Sequence, residues 1–498
     1  MNIDRRRFLG SGLAAWGAAR IGPSPVAAAA APAGQPAAAR ASSGKSLSRP
    51  FAQWVVGLRY EDLPAAVVDR IKGLTLQNLA SALVGSELPA GQQAVTLVTG
   101  EEIGVRSGAT VLVNGSRVTR GGAAFANSEL MLAGGKWDTF RMLTHPGTAI
   151  IPAALVAAEL EGASGRDFIT GVAAGYEVME RMAADWIPTV MARGFHAGPV
   201  FSIFGAAVAA AKIMRFTEDQ VHAAISLCTN LAGSNLESHA LREGAAVRNA
   251  MLAISLAKQG KVDGGEAVLE GPAGFYHAYA GDRTGHLTYS FVGATETSLD
   301  GLTANLGTDW MLLETLYRIY SISGYNIAHI DVTAKLCEEH NIKYEDVERV
   351  EAVVNWLETQ YPSPAFPLRR EDTGEPARGS TRYYTAYGVV KRGFPMLPVV
   401  ADPPEVLELM KRVQIIPSHQ MTLFGPRITI FTRDGRNYTK QATGREFIWD
   451  VDEEARRIRA VVPGIPISGS QFEHLIATCR DLDRQDRADT LVRLTLKS

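Results

Sequence analysis

The sequence THPGTAIIPAALVAAELEG, residues 144–162, places a histidine directly ahead of a long run of small apolar residues. The sequence GFHAGPVFSIFGAAVAAAKIM, residues 194–214, repeats this arrangement further along the chain. Proline suits the first turn of a helix because its missing N–H would have no partner there. We therefore predict one helix after His145 and another after His196. These helices are expected over 149–162 and 200–214.

Two histidines beside two helix N-termini suggest a site for anions. The first turn of a helix offers free backbone N–H groups and a partial positive charge of about half an elementary unit. Two imidazoles at such termini indicate a pocket that can bind a multiply charged anion and transfer protons to or from it. A lone histidine ahead of a helix is more often a cap or a packing residue, so the prediction rests on the pair.

The composition indicates an ordinary globular protein of two domains. The 498 residues are too many for one usual core, and 46% of them are hydrophobic while 20% are charged. A net charge of −2 gives no electrostatic case for nucleic-acid binding. The three cysteines, Cys228, Cys337 and Cys479, lie far apart, which argues against a zinc cluster and against an iron–sulfur cluster held by three or four thiolates.

The first residues are typical of an export signal. RRRFLG at 5–10 has the twin-arginine pattern, and a weakly apolar stretch, 11–19, and an alanine-rich stretch, 26–31, follow it. We predict a twin-arginine signal peptide over 1–31, a disordered lead-in over 32–48 and a periplasmic or secreted protein exported by the twin-arginine machinery. A basic disordered tail is the alternative. No later stretch approaches the ~20 uncharged residues that a membrane span needs, so no span is predicted.

Residues 49–313 and 442–498 carry apolar side chains at helical spacing, separated by short turns that contain glycine or proline. We predict that these two stretches form one large helical domain, because their many alanines and glycines allow helices to approach closely. Besides the two helices after the histidines, the expected helices are 63–84, 165–184, 217–232, 244–259, 452–461 and 470–479.

Residues 314–441 are predicted to form a smaller α+β lid domain. Residues 347–354 alternate like a strand, and an Asp-Gly pair between 427–433 and 436–441 is a hairpin signal, while 406–413 has a helical pattern. The predicted fold class is therefore mainly α with an α+β insertion. The active site is expected in the cleft between the two domains, where ligands often bind.

Seven short stretches stand in a specific order and spacing. They are HPGTA at 145–149, EGASGRD at 161–167, AGYEV at 174–178, RGFH at 193–196, FGAA at 204–207, GAAVRNA at 244–250 and LEGPAGF at 269–275. Over most of residues 50–400 the chain resembles the MmgE/PrpD family. The resemblance implies a helical domain with an α+β lid, a homodimer, and no metal or organic cofactor. It also implies a small di- or tricarboxylate substrate from which a proton is removed beside a carboxylate.

The resemblance also implies catalytic residues. His145 and His196 match the two active-site histidines of the family. Asp138 and Thr139 match part of the acidic segment ahead of the first histidine, and Tyr361 fits the tyrosine of the lid. Histidine suits proton transfer because its ordinary pKa is about 6.5. One division makes His196 the neutral base and His145 the protonated acid, and the sequence leaves this division open.

Further residues are predicted to bind the substrate together with Thr139. His239 aligns with a family lysine ahead of the third helix that forms the site, and Arg242 aligns with a nearby basic or polar position. Arg318 begins RIYS where most members have Lys-Pro-Tyr-Pro. The arginines are expected to clamp carboxylates, with each charge-assisted hydrogen bond contributing roughly 1.5–3 kcal/mol. Without the resemblance, both arginines are typical of an exposed surface.

Three departures from the family pattern bear on the substrate. Gly135 stands where an aspartate is common, and Ser323 and Ile327 occupy the places of a usual cysteine and histidine. Arginine for lysine at 318 also changes the geometry that a carboxylate must meet. These departures favour a substrate other than 2-methylcitrate or cis-aconitate.

The sequence thus predicts a cofactor-independent lyase that acts on a small di- or tricarboxylate. A carbon–oxygen hydro-lyase is the first expectation and a carboxy-lyase the second. An isomerase or epimerase of a polycarboxylate needs the same proton abstraction and is the enzymatic alternative. A non-catalytic periplasmic carboxylate-binding protein is the third alternative, although binding alone does not need a pair of proton-transfer groups.

Overall fold

The computed structural model describes residues 46–105, 107–238, 241–260, 262, 265–366, 378–395 and 401–497. The predicted signal peptide, 1–31, and most of the predicted lead-in lie outside these residues. Leu47 and Ser48, at the end of that lead-in, are buried, and the first helix begins at Ser48.

The helices of the described residues follow one another along most of the chain. They are α1 Ser48–Gly57, α2 Ala65–Gly85, α3 Pro89–Glu101, α4 Arg120–Gly134, α5 Gly147–Glu161, α6 Gly165–Ala183, α7 Ile187–Ala192, α8 Ala197–Ile213, α9 Glu218–Leu231, α10 Arg242–Ala257, α11 Phe275–Ala280, α12 Gly324–Glu339, α13 Thr381–Lys391, α14 Pro404–Leu409, α15 Val451–Ile458, α16 Gly469–Arg480 and α17 Thr490–Thr495. The strands are β1 Ala109–Thr110, β2 Arg117–Val118, β3 Trp137–Thr139, β4 Leu316–Arg318, β5 Val347–Asn355, β6 Val413–Ser418, β7 Arg427–Thr432 and β8 Asn437–Gln441. None of these helices combines the length and the apolar character that crossing a membrane requires.

Helix α8 lies at the centre of the helical part and packs against α5, α6, α9 and α10. All of its residues except Lys212 are buried. Its crossing with α6 is close, because a Cβ on Gly175 would lie 2.6 Å from the backbone oxygen of Gly205. A Cβ on Gly205 would in turn lie 2.9 Å from the backbone oxygen of Gly175. The two glycines therefore permit the close packing that the small residues of this region predict.

The α+β part is built on a four-stranded sheet with the strand order β6-β5-β7-β8. Strand β5 is parallel to β6 and antiparallel to β7, and β7 and β8 form the predicted hairpin. In β7, Ile428, Ile430 and Thr432 are buried while the residues between them are more exposed. Helices α12 and α13 pack against each other and contact this sheet, which buries one of its faces.

A short antiparallel ladder joins the two parts of the molecule. Strand β3, from the helical part, pairs with β4, and Trp137 lies opposite Arg318. Tyr317 of β4 stacks on Trp449 with ring centroids 5.1 Å apart. After β8 the chain returns to the helical part, where α15 and α16 pack against α2. The structure therefore confirms the predicted fold class, a mainly helical protein with a smaller α+β insertion.

The prediction of a helix over 406–413 is wrong at its end. Helix α14 stops at Leu409, a single 3₁₀ turn follows, and Val413 begins strand β6. Val413 and Ile415 are buried on one face of that strand while Gln414 is exposed. β-Branched residues favour this extended, half-buried environment, and pairing with β5 supplies the hydrogen bonds that a longer helix would have made.

Candidate active site

A cavity of about 240 Å³ lies between residues of the helical part and residues of the α+β part. Six of the eight predicted site residues line it, namely Thr139, His145, His196, Arg242, Arg318 and Tyr361. Asp138 lies behind the cavity wall, and His239 lies outside the described residues. Among the described residues that line the cavity, three are arginines and none is an acid. The cavity is therefore suited to an anion.

His145 is held by the backbone of β3. Its Nδ1 lies 2.9 Å from the backbone oxygen of Asp138 and 3.4 Å from the hydroxyl of Thr139. A carbonyl oxygen only accepts hydrogen bonds, so Nδ1 carries the proton and Nε2 is the unprotonated nitrogen of the neutral ring. The ring also packs on Trp137, with centroids 4.6 Å apart.

The surroundings of His145 keep it neutral. Burial is the main cause that holds its pKa well below the usual range, and the charges of Arg318 and Arg242 act in the same direction. A neutral imidazole with a free Nε2 is a proton acceptor. This environment favours His145 as the base, which is the opposite of the division considered from the sequence.

His196 stands as the N-cap residue of α8 and is held from two sides. Its backbone N–H donates to the oxygen of Ser234 at 3.0 Å, next to a bridge between Phe195 and Asn235. On the ring, Nε2 accepts a hydrogen bond from Nη1 of Arg242 at 2.6 Å, because a guanidinium only donates. His196 and Arg242 thus form a bonded pair on the cavity wall.

Arg318 is the last residue of β4, in the ladder that β3 and β4 form. Its Nε donates to the backbone oxygen of Ile322 at 2.6 Å, and its guanidinium lies 4.6 Å from the centre of the Trp137 ring. Burial lowers the pKa of Arg318 to about 10, which still leaves the group charged at neutral pH. Two tyrosines, Tyr325 and Tyr361, share the cavity wall with it, their rings 6.0 Å apart. Together these groups form a cationic wall with phenol donors.

The side chain of Asp138 makes hydrogen bonds inside the protein and does not line the cavity. Its carboxylate accepts hydrogen bonds from the backbone N–H of Gly147, at 2.9 Å, and from the hydroxyl of Tyr176, at 2.6 Å. Burial raises the pKa of Asp138 to about 6, and both hydrogen bonds oppose that rise. A Cβ on Gly147 would lie 2.3 Å from the amide nitrogen of Asn78, so only glycine fits there. Asp138 therefore fixes the start of α5, directly after His145.

Among the residues of the cavity wall that were not predicted, Arg141 and Tyr325 carry a guanidinium and a phenol. Arg141 has a left-handed backbone conformation (φ 52°) and forms an ion pair of 2.7 Å with Glu314. Tyr325 is the second residue of α12, a helix that the sequence analysis did not identify. The N-terminus of α12 follows shortly after Arg318. Recognising this helix start in the sequence would have pointed to Tyr325.

Gly135 lies away from the cavity wall, at the C-terminal end of α4. Its φ is +69°, and a Cβ there would lie 2.4 Å from the hydroxyl of Ser321. A side chain at 135 would therefore be strained at this φ and would displace the Ser321 hydroxyl. In the part of the chain that the structure describes, no group of three or more His, Cys, Asp or Glu side chains is placed to hold a metal ion.

Comparison with known proteins matches the part of the chain that carries both histidines of the cavity. The sequence model of the MmgE/PrpD N-terminal domain matches residues 49–287. This match includes His145, His196 and Arg242, and it ends before β4 and the tyrosines of the α+β part.

Several similar proteins are cis-aconitate decarboxylases or resemble one. A cis-aconitate decarboxylase-like protein, oryM, of Aspergillus oryzae is 26% identical over 57% of this chain and 60% of its own length. The cis-aconitate decarboxylase of Aspergillus terreus is 26% identical over 45% of this chain and 48% of its own length. The chain thus spans about half to three fifths of these fungal relatives. The human cis-aconitate decarboxylase is 24% identical over 91% of this chain and 94% of its own length.

Proposed function

The chain belongs to the MmgE/PrpD family, and from this premise we propose that it is a lyase that removes a proton beside a carboxylate of a small di- or tricarboxylate. The single observation that carries the proposal is the neutral His145, whose unprotonated Nε2 belongs to a cavity lined by three arginines. A base and cations around one small cavity are the groups that this chemistry requires.

The first step is the abstraction of a proton from carbon. A C–H group next to a carboxylate is a weak acid, because removing its proton places a second negative charge beside the first. Arg242 and Arg318 lower that barrier when they hold the carboxylate, since both are charged and half-buried. His145 Nε2 takes the proton, and its Nδ1–H stays bonded to the oxygen of Asp138, which stabilises the imidazolium that forms.

The second step is the loss of a leaving group. In a hydro-lyase the carbon–oxygen bond breaks with its electron pair, and the leaving hydroxyl takes a proton to become water. Tyr361 is the proton donor that we assign to this role, because it lines the same cavity as His145. His196 accepts a hydrogen bond from Arg242 and so holds that guanidinium on the cavity wall. In a carboxy-lyase carbon dioxide leaves without its bonding electron pair, so the proton held by His145 returns to carbon and a second proton from an acid takes the place of the lost carboxylate. We propose the hydro-lyase first and the carboxy-lyase second.

An epimerase is the second candidate function. Two imidazoles line one cavity, and such a pair can take a proton from one face of a carbon and return it to the other. The cofactor independence of either reaction is part of the proposal and is tested by full activity after dialysis against a chelator.

Proton NMR of the purified protein in D₂O, with a panel of di- and tricarboxylates, tests the proposal. The panel contains citrate, 2-methylcitrate, cis-aconitate, tartrate and acids derived from aspartate. Loss of a carbon-bound proton signal with a new alkene signal supports the hydro-lyase, and release of carbon dioxide supports the carboxy-lyase. Deuterium exchange or inversion without an alkene supports the epimerase. Line broadening of an acid that is never converted contradicts all three and supports a carboxylate-binding protein.

We also propose export by the twin-arginine machinery to the periplasm or beyond, and assembly as a homodimer. The support is the RRRFLG sequence at 5–10 for export and the family for the dimer. A shorter mature form outside the cytoplasm tests the first, and a single uncleaved cytoplasmic form contradicts it. Light scattering of the purified protein tests the second.

A further inference from the structure

Arg141 lines the same cavity as Arg242 and Arg318, and the steps proposed above do not use it. Its guanidinium forms an ion pair of 2.7 Å with the carboxylate of Glu314, which is not among the described residues that line the cavity. The two side chains are 33% and 39% exposed. An ion pair with this exposure is weak, because water solvates both charges and salt screens them. A carboxylate of the substrate can therefore compete with Glu314 for Arg141.

The position of this ion pair follows from the register of β3 and β4. In their antiparallel ladder Thr139 lies opposite Leu316. The same register, continued by two residues on each segment, brings Arg141 opposite Glu314. Arg318 is the last residue of β4, at the other end of the ladder. The two arginines therefore border the cavity at opposite ends of one short ladder, so a carboxylate held by Arg141 belongs to a different part of the substrate from one held by Arg318.

The loop that carries Arg141 is fixed by hydrogen bonds of its own. The backbone N–H of Phe140 donates to the backbone oxygen of Thr144 at 3.3 Å, and the hydroxyl of Thr144 donates to the backbone oxygen of Phe140. Arg141 and Leu143 both adopt left-handed backbone conformations inside this turn, with φ of 52° and 61°. Because these bonds do not involve the guanidinium, the turn keeps its shape when the Arg141 side chain leaves Glu314.

We propose that Arg141 is a specificity-determining residue that exchanges Glu314 for a carboxylate of the substrate remote from the carbon that His145 deprotonates. This role rests on the proposed function, in which Arg242 and Arg318 hold the carboxylate next to that carbon. An acid with a further carboxylate replaces Glu314 and gains a charge-assisted hydrogen bond. An acid without that group leaves the ion pair as it is. The exchange therefore favours the acid with one more carboxylate over an otherwise identical acid.

Two acids that differ by one carboxylate test the exchange without any turnover. Propane-1,2,3-tricarboxylate carries both carboxylates of glutarate and one more on the middle carbon. Isothermal titration calorimetry of the full chain at neutral pH measures the dissociation constant of each acid. We expect the tricarboxylate to bind about tenfold more tightly than glutarate, since one additional charge-assisted hydrogen bond corresponds to about this factor. The absence of any preference for the tricarboxylate overturns the proposal.

Arg141→Gln and Glu314→Gln break the same ion pair from its two sides and form a matched pair of variants. Arg141→Gln should reduce the preference for the tricarboxylate to about threefold or less while the affinity for glutarate changes little. Glu314→Gln removes the competing carboxylate and should raise the affinity for the tricarboxylate about two- to fivefold. An ion pair that only stabilises the fold predicts the same change in both variants.

An unchanged preference in Arg141→Gln, or an equal loss of affinity in both variants, overturns the exchange. If Arg141→Gln does not fold, the rise in affinity in Glu314→Gln tests the exchange by itself, and its absence overturns it.

Kinetics separate this inference from the proposed function. Once a substrate is known, Arg141→Gln should raise KM about tenfold with kcat nearly unchanged, because Arg141 holds a group remote from the reacting carbon. Conversion of a tricarboxylate with the same KM in Arg141→Gln contradicts only the exchange. Preferential binding of the tricarboxylate through Arg141, without conversion of any acid, contradicts only the proposed function.

Discussion

The segment ahead of α5 and the segment ahead of α8 look alike in sequence, and the structure gives their histidines different partners. His145 bonds to a backbone oxygen of β3, while His196 bonds to a guanidinium with a carboxylate behind it. The first arrangement fixes the tautomer of a neutral ring, and the second binds the other ring to a cation of the cavity wall. The comparison teaches that similar helix N-termini acquire different chemistry from the side chains that neighbouring elements bring to them.

Removing the proposed base, His145, should have the largest effect on turnover and tests the difference between the two histidines most directly. His145→Gln keeps the size and one hydrogen-bonding group of the side chain but cannot accept a proton from carbon. We expect turnover to fall about 10²-fold or more while the unfolding temperature changes little. Steady-state kinetics on the substrate found by NMR measure the effect. A near-normal rate would remove His145 from the chemistry and shift the base to the other segment.

The two glycines at the helix starts give the next largest contrast. A Cβ on Gly147 would meet Asn78, Tyr176 and Asp138, all within 2.9 Å, in the buried network that starts α5. We expect Gly147→Ala to lower the free energy of unfolding by about 1–3 kcal/mol, as overpacking does in other cores. Urea unfolding measures it. Gly198→Ala is the control, because its main contact is the end of one glutamate side chain, and it should cost less.

The pH dependence of the free energy of unfolding tests the raised pKa of Asp138, whose carboxylate fixes the start of α5 directly after His145. The folded pKa of Asp138, about 6, lies above the ordinary 3.8, so the folded protein binds the proton more tightly than the unfolded chain does. This contribution to stability is complete below about pH 4 and is lost as the pH rises toward 6. In Asp138→Asn that loss should disappear, which changes the difference in unfolding free energy between pH 4 and pH 7 by roughly 2 kcal/mol. Identical pH profiles for both proteins would contradict the raised pKa.

The smallest expected effect concerns Tyr325, which only the structure revealed. Tyr325→Phe removes one phenol donor from the wall shared with Arg318 and keeps the ring. We expect KM to rise about threefold with kcat nearly unchanged, since one neutral hydrogen bond contributes about 1 kcal/mol or less. Tyr387→Phe is the matched control, because Tyr387 of α13 packs against the core of the α+β part and does not line the cavity, and it should leave KM unchanged.

The sequence allowed much of the helical part to be predicted and less of the cavity. Small residues at helical spacing placed the helices α5 and α8, and the family resemblance pointed to Arg318 and Tyr361, far along the chain. The hydrogen bonds that distinguish the two histidines were beyond prediction. Whether the backbone oxygen of Asp138 or the guanidinium of Arg242 meets a histidine ring depends on which side of a strand or helix faces that ring, and one sequence carries no pattern for this.

The β3–β4 ladder determines how the molecule can open. Thr139 and Trp137 on one strand border the base, and Arg318 on the other belongs to the cationic wall, so backbone hydrogen bonds tie these groups together. Widening the cleft at this edge would rupture the ladder, whereas the opposite edge, with Tyr361 and Phe424, has no strand pairing to helical residues among those described. The ladder therefore holds Thr139 and Arg318 in one backbone register, on either side of the same cavity.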